Sequence, residues 1–292
     1  MRAREPLGAT HHRGAFELSA ARPRVSRGLS SPAGRIGLAG MLAMALLISL
    51  SAAHTELLLP QSLRRSLGGL AGVFGHVGLD IGLPVLIAAM VLMFLSYAVA
   101  LRAAKYLSRR AVLVSIAALN ALVLVAPPLL STDLFSYIAY GRLGGTYGVN
   151  PYLYGPNVIS FDPLYHLVGV QWTHTPTAYG PLFTALSYPL AGLNIATNVF
   201  AYKGIAALSL LAVVVLVWHA AQLRGIDPVK AVALVGLNPV IVIYGVGGGH
   251  NDLLMLAFTT LGLYALLARR ERLGGATVAL GAAIKLTGAI LL

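Results

Sequence analysis

Residues 79–101 read LDIGLPVLIAAMVLMFLSYAVAL, a run whose single charged residue, Asp80, stands at its start. A bilayer core needs roughly 20 apolar residues of helix, so this stretch predicts a membrane-crossing helix. Six more stretches qualify or nearly so: residues 36–53, 111–130, 202–221, 229–246, 253–268 and 274–292. The composition agrees. Of 292 residues, 58% are hydrophobic and 10% charged, with a mean hydropathy of +0.80, where a soluble domain carries about 25% charge. The predicted fold is all-α, a polytopic transmembrane helical bundle of at least seven spans.

Before the first span, residues 1–34 are rich in Arg, Ser, Pro and Gly without apolar periodicity, and read as a disordered, basic cytoplasmic tail. Residues 35–292 form the transmembrane domain. The chain stops at Ala289-Ile290-Leu291-Leu292 inside an apolar run, so the expectation is a C-terminal truncation with further spans missing. There is no cysteine, which excludes disulfides and thiolate metal sites. The net charge of +12 does not point to nucleic acid, because the basic residues are dispersed among short loops between apolar runs.

Those charges set the predicted topology. Residues 181–193 are apolar but short, and open on Gly180-Pro181. If this segment returns to the side it came from and the N-terminus is inside, 16 of the 21 basic residues lie inside; if it crosses, the split falls to 12 inside and 8 outside. The positive-inside rule favours the first arrangement. It puts residues 131–201, a loop of about 70 residues with interfacial helices, on the outer face of the plasma membrane. The turn GGGHND (247–252) falls on the same face.

Four constellations carry possible chemistry. In STDLFSYIAYGR (131–142), Ser131 or Thr132 can cap a helix starting at Asp133, whose Leu134, Ile138 and Leu143 predict an amphipathic helix on the membrane surface. Asp133 there either serves the helix dipole or takes a proton from an alcohol. In WTHTPTAYGP (172–181), Trp172 reads as an interfacial anchor, while His174 can donate to a phosphate or sugar hydroxyl. In the glycine-rich turn, His250, Asn251 and Asp252 supply three polar side chains where a plain hairpin needs none; Asn251 or Asp252 can also cap the next helix. Lys285 lies about eleven residues into an apolar run, where it holds a lipid-linked phosphate, pairs with Asp80 or Asp252, or snorkels outward. No phosphate-binding glycine loop and no HExxH pattern is present.

STDLFSYIAYGR, NPY (150–152), TPTAYGP (175–181), GLNPVIVIYGVGGGHND (236–252) and AIKLTGA (283–289) follow one another in an order that resembles the bacterial polyprenol-phosphate-mannose-dependent α-(1→6)-mannosyltransferases and the related family 87 enzymes of the GT-C type. The resemblance runs from about residue 111 to the end. It implies a GT-C-type bundle and an inverting transfer from a polyprenyl-phosphate sugar, with mannose as the sugar, to a glycan or glycolipid acceptor at the outer face. It implies that Asp133 activates the acceptor hydroxyl, that Arg142, His250 and Lys285 hold the phosphate, and that Tyr179, Asn251 and Asp252 orient sugar hydroxyls, with His174 a further contact. No cofactor is required on this reading, although a divalent cation is compatible with it. The competing classes are a lipid-linked substrate flippase or secondary transporter, and an inactive fragment.

Overall fold

The computed structural model describes residues 31–63, 68–75 and 77–291. All regular structure among them is helical. The first helix, α1 (Pro32–Ser51), starts where its sequence dictates: the Ser31 hydroxyl accepts from the Gly34 N–H, and Pro32 takes the first helical position, where no N–H is needed. Three residues assigned to the tail thus belong to the helix, and the rest of that predicted tail lies outside the described residues. α2 (Leu83–Arg102) packs along α1. At Gly37 a Cβ would come within 2.7 Å of the Ala100 backbone nitrogen, so this glycine lets the two helices touch at backbone distance.

The chain then runs through α3 (Arg109–Val125), α4 (Asp133–Gly145), α5 (Pro181–Ser187), α6 (Ile195–Leu223), α7 (Pro228–Gly236), a π-helical segment (Val240–Val246), α8 (Asp252–Leu267) and α9 (Glu271–Ile284). An apolar core of α1, α2, α3, α6, α7 and the π-helical segment fills one part of the bundle. A second core joins α4 and α5 to α6, α8 and α9.

Among the described residues, three helices are long and apolar enough to cross a membrane: α1 and α2, each 20 residues, and α6, 29 residues. The α7 and π-helical pair, bent by 48°, makes a fourth if counted as one span. These apolar helices mark a membrane protein. The predicted minimum of seven spans is not confirmed by helix length among the described residues, because several apolar runs extend past the helix they contain. α3, α8 and α9 have 17, 16 and 14 residues, short of the roughly 20 that one crossing takes. The last predicted span breaks at Lys285, whose backbone is extended, before a short 3-10 helix (Leu286–Leu291). α5 has seven residues, too few to cross.

The predicted surface helix at Asp133 also differs. α4 buries residues on every side, including Leu134, Phe135, Tyr137, Ile138 and Tyr140. It is held between α5, α6 and the loop that follows it, rather than lying with one face free.

Short links place the ends of these elements together. Leu129 N–H donates to Gly247 O, Leu130 N–H to Leu58 O, Val73 N–H to Val125 O, and Gly180 N–H to Ile284 O. The end of α3, the starts of α4 and α8, and the end of α9 therefore meet at one end of the bundle, under the 131–201 segment.

Candidate active site

Asp133 is the first residue of α4, and the Ser131 hydroxyl accepts its backbone N–H at 3.1 Å. The strand of chain before it is tightly pinned. Leu130 adopts φ +66°, a left-handed conformation that a branched side chain enters at a cost. Its N–H bond to Leu58 and the neighbouring bond from Leu129 to Gly247 hold it there. Beneath runs Lys203, fully buried on α6, whose ammonium donates to the carbonyls of Ala126 and Pro127.

On the facing side, Gly249 has φ +66°, and a Cβ there would strike the Leu134 side chain and approach Lys203 Cγ at 3.4 Å. A glycine is required for both reasons. It lets the 247–252 turn press against the first turn of α4, so that α8 and α4 begin side by side with an aspartate at each start. A carboxylate in a helix's first turn is favoured by the dipole, which fits both readings of Asp133.

Between the two aspartates sits His250. Its Nδ1 lies 3.9 Å from Asp133 Oδ2 and 3.9 Å from Asp252 Oδ2. The ring is buried and stacked on Tyr244, with centroids 4.1 Å apart. Burial pulls its pKa below the ordinary imidazole value, and the two carboxylates only partly oppose that. Lys285 completes the group: its ammonium donates to both oxygens of Asp252, at 2.8 and 2.9 Å. Of the two carboxylate partners considered for Lys285, the structure selects Asp252. Where α9 ends, the Gly180 N–H donates to the Ile284 carbonyl and the Lys285 backbone is extended.

Tyr137, one turn along α4 from Asp133, donates to Asn251 Oδ1 at 3.3 Å. Tyr179 stands edge-on to Tyr137 with centroids 4.8 Å apart. Burial, and then the Asp133 charge, raise the Tyr179 phenol above its ordinary pKa; burial, Tyr179 and Asp133 do the same to Tyr137. Both rings therefore stay protonated as hydroxyl donors. Asn251 is buried, and its Nδ2 has no hydrogen-bond partner among the described residues.

Of the eight residues singled out in the sequence, Asp133, Tyr179, His250, Asn251, Asp252 and Lys285 come together here. Arg142 and His174 do not. Arg142 donates from Nη1 to Asp162 Oδ1 at 2.5 Å and from Nη2 to Leu193 O at 3.2 Å. The buried Asp162 also accepts from Tyr147 and from the Leu164 N–H. Arg142 is thus a clamp on the loop after α4, apart from the group around His250. His174 is exposed on that loop. Tyr137, Asp162 and Lys203 were not singled out. Tyr137 follows Asp133 at i+4, the spacing that shares a helix face, and Lys203 is the lone charge of an apolar helix; both signals are visible in the sequence.

The group combines a half-exposed carboxylate at Asp133, 28% accessible, and a half-exposed ammonium at Lys285, 30% accessible, around a buried imidazole. Such a set can take a proton from a hydroxyl and receive a developing negative charge. Among the described residues, no three His, Asp or Glu side chains gather as a metal site.

Residues 35–292 match the family described as "Alpha-(1->6)-mannopyranosyltransferase, N-terminal domain". Alpha-(1->6)-mannopyranosyltransferase A of Corynebacterium glutamicum is 33% identical over 173 residues, 57% of this chain and 34% of the relative. The enzyme of the same name from Mycobacterium tuberculosis is 31% identical over 173 residues, covering 58% and 33%. Alpha-(1->6)-mannopyranosyltransferase B of C. glutamicum is 30% identical over 160 residues, covering 52% and 26%. The matched part spans at most about a third of these relatives' length. No solved structure matches.

Proposed function

The chain belongs to the alpha-(1->6)-mannopyranosyltransferase family, and from that premise we propose that it is an integral-membrane glycosyltransferase. It moves a mannosyl unit from a polyprenyl-phosphate donor to a hydroxyl of a glycan or glycolipid acceptor at the outer face of the membrane. The observation that carries the reading is the meeting of Asp133, His250, Asp252 and Lys285 where α4 and α8 begin. In the proposed step, Asp133 accepts the proton of the acceptor hydroxyl as its oxygen bonds to the anomeric carbon. The bond from that carbon to the phosphate oxygen breaks, and the configuration inverts. Charge grows on the departing phosphate, and Lys285 receives it in this reading.

The charged groups gather at one end of the bundle, which supports an enzyme over a transporter, whose polar groups belong near the middle of broken helices. The test separates the two readings of Asp133 by size. As a dipole partner, its loss in Asp133→Asn changes stability by about 0.3–1 kcal/mol and leaves turnover alone. As general base, its loss lowers mannosyl transfer by roughly 10²–10⁴-fold. Membranes carrying the variant are assayed with polyprenyl-phosphate mannose and an α-mannoside. Full transfer by a normally inserted variant defeats the assignment.

A further inference from the structure

The end of the bundle away from Asp133 carries a feature of another kind. Near the start of α6, Lys203 bonds the carbonyls at the end of α3. The start of α3 and the end of α6 therefore meet at the opposite end, about 25 Å off along a 17-residue helix. There a groove of about 400 Å³ runs between the two helices, lined by Arg109, Leu113, Val214, Val215, Trp218 and His219. Its size falls within the roughly 300–1,000 Å³ of small-molecule sites.

The two walls carry the same gradient. On α3, Leu113 lies one turn inward from Arg109; on α6, Val214 and Val215 lie one turn inward from Trp218 and His219. Polar groups thus stand at the mouth, where the helices end, and apolar groups lead toward the middle of the bundle. A phospholipid has that order, with a polar head at the boundary and a chain inside, and a tryptophan suits the head-group level.

The mouth favours negative charge. The Arg109 guanidinium stands 5.9 Å from the centre of the Trp218 ring, and this cation–π contact occupies a ring face that a choline head would otherwise use. The His219 ring leans on Tyr264 of α8, with centroids 6.3 Å apart. A guanidinium presents a planar fork of donors matched to phosphate, and an imidazole adds a further N–H. Lys105, Arg110, Arg224, Arg269 and Arg270 stand at the same ends of α3, α6 and α8. Among the described residues they outnumber the carboxylates of that end, Asp227 and Glu271. Basic pockets of this kind between apolar helices suit anionic lipid heads.

We infer that the groove binds one anionic phospholipid of the leaflet at that end, with its phosphate at Arg109 and His219 and an acyl chain along Leu113, Val214 and Val215. The apolar walls leading from the mouth are what select a lipid over a free anion. The inference rests on the chain's being a membrane protein and is independent of the mannosyltransferase reading.

Trp218 lines the groove, and Trp172 is the other of the chain's two tryptophans, so a Trp172→Phe protein reports on the groove alone. In detergent it is titrated with phosphatidylglycerol bearing brominated acyl chains, which quench an indole they touch, and separately with brominated phosphatidylcholine. Each titration is corrected by the unbrominated lipid. Saturable quenching by phosphatidylglycerol is expected, at a half-saturating concentration at least about five-fold below that of phosphatidylcholine. Arg109 is exposed, so Arg109→Gln leaves folding intact and is expected to abolish the preference. Leu113→Phe, which fills the groove, is expected to reduce quenching by both lipids. Arg224→Gln makes the same charge change outside the lining and is expected to keep the preference within two-fold. Equal quenching by the two lipids, a preference that survives Arg109→Gln, or full quenching in Leu113→Phe overturns the inference. So does an equal loss in Arg224→Gln, which marks diffuse attraction, or displacement of the brominated lipid by inorganic phosphate, which marks an anion site without a chain.

Discussion

Two glycines with the same backbone conformation provide a controlled test of how the site is assembled. Gly148 has φ +65° with nothing near a prospective Cβ, whereas Gly249 has φ +66° with the Leu134 side chain in the way. Alanine at Gly148 meets only the left-handed penalty, about 1–2 kcal/mol. At Gly249 the same penalty is joined by overpacking against Leu134, about 1–3 kcal/mol, for a total of roughly 2–5 kcal/mol. Because Leu134 directly follows Asp133, the shift that relieves the contact also moves the carboxylate away from His250. Gly148→Ala is therefore expected to retain transfer activity with a modestly lowered unfolding midpoint, and Gly249→Ala to lose both stability and activity. Thermal unfolding in detergent and transfer in membranes read the two effects. Adding Leu134→Ala to Gly249→Ala removes the obstructing atoms and should recover part of the stability, a coupling that neighbouring residues show and distant ones do not. Equal stability and activity in Gly148→Ala and Gly249→Ala, with no recovery in the double variant, refutes the claim that the 247–252 turn is pressed onto α4.

Other perturbations separate structural from chemical roles. Arg142→Gln strips the partner from buried Asp162, so a loss of about 3–5 kcal/mol is expected, with the donor KM of the surviving protein unchanged; a raised donor KM without destabilisation returns Arg142 to the phosphate. Lys285→Met breaks a solvent-screened pair and should cost less than about 1 kcal/mol in stability, yet lower transfer at least ten-fold; unchanged kinetics remove Lys285 from the donor site. His250, with its pKa depressed by burial, favours the neutral ring. Its contribution to stability is present above the ordinary imidazole pKa of about 6.5 and drains away as pH falls from there through the lowered folded value. Unfolding midpoints between pH 7.5 and 5 should therefore decline, and decline less in His250→Asn; identical slopes contradict the burial.

The sequence marked several of these groups for good physical reasons. An aspartate at a helix start, a glycine triplet before three polar residues and a lysine in an apolar run are each costly or special where they stand. Arg142 looked equivalent but is not. It follows Asp133 by nine residues, which turns it about half a circle around the helix and moves it roughly 13–14 Å along the axis. That separation was available from the spacing once α4 is taken as one unbroken helix. The amphipathic reading of α4 went astray because its tyrosines do not face water. Tyr137 and Tyr140 instead bury their rings and spend their hydroxyls on Asn251 Oδ1 and the Thr175 carbonyl.

What the sequence determined by itself was the solvent: apolar runs with so little charge belong in a lipid phase, and helices satisfy their backbone there. The residue types available for the site were determined with it. Where the helices end was left open, because hydropathy does not register a π-helical segment, a left-handed Leu130, or an α9 that ends before Lys285. Those breaks arise from contacts between segments far apart in the chain. They decided that Asp133, His250, Asp252 and Lys285 share one place, and that Arg142 and His174 do not.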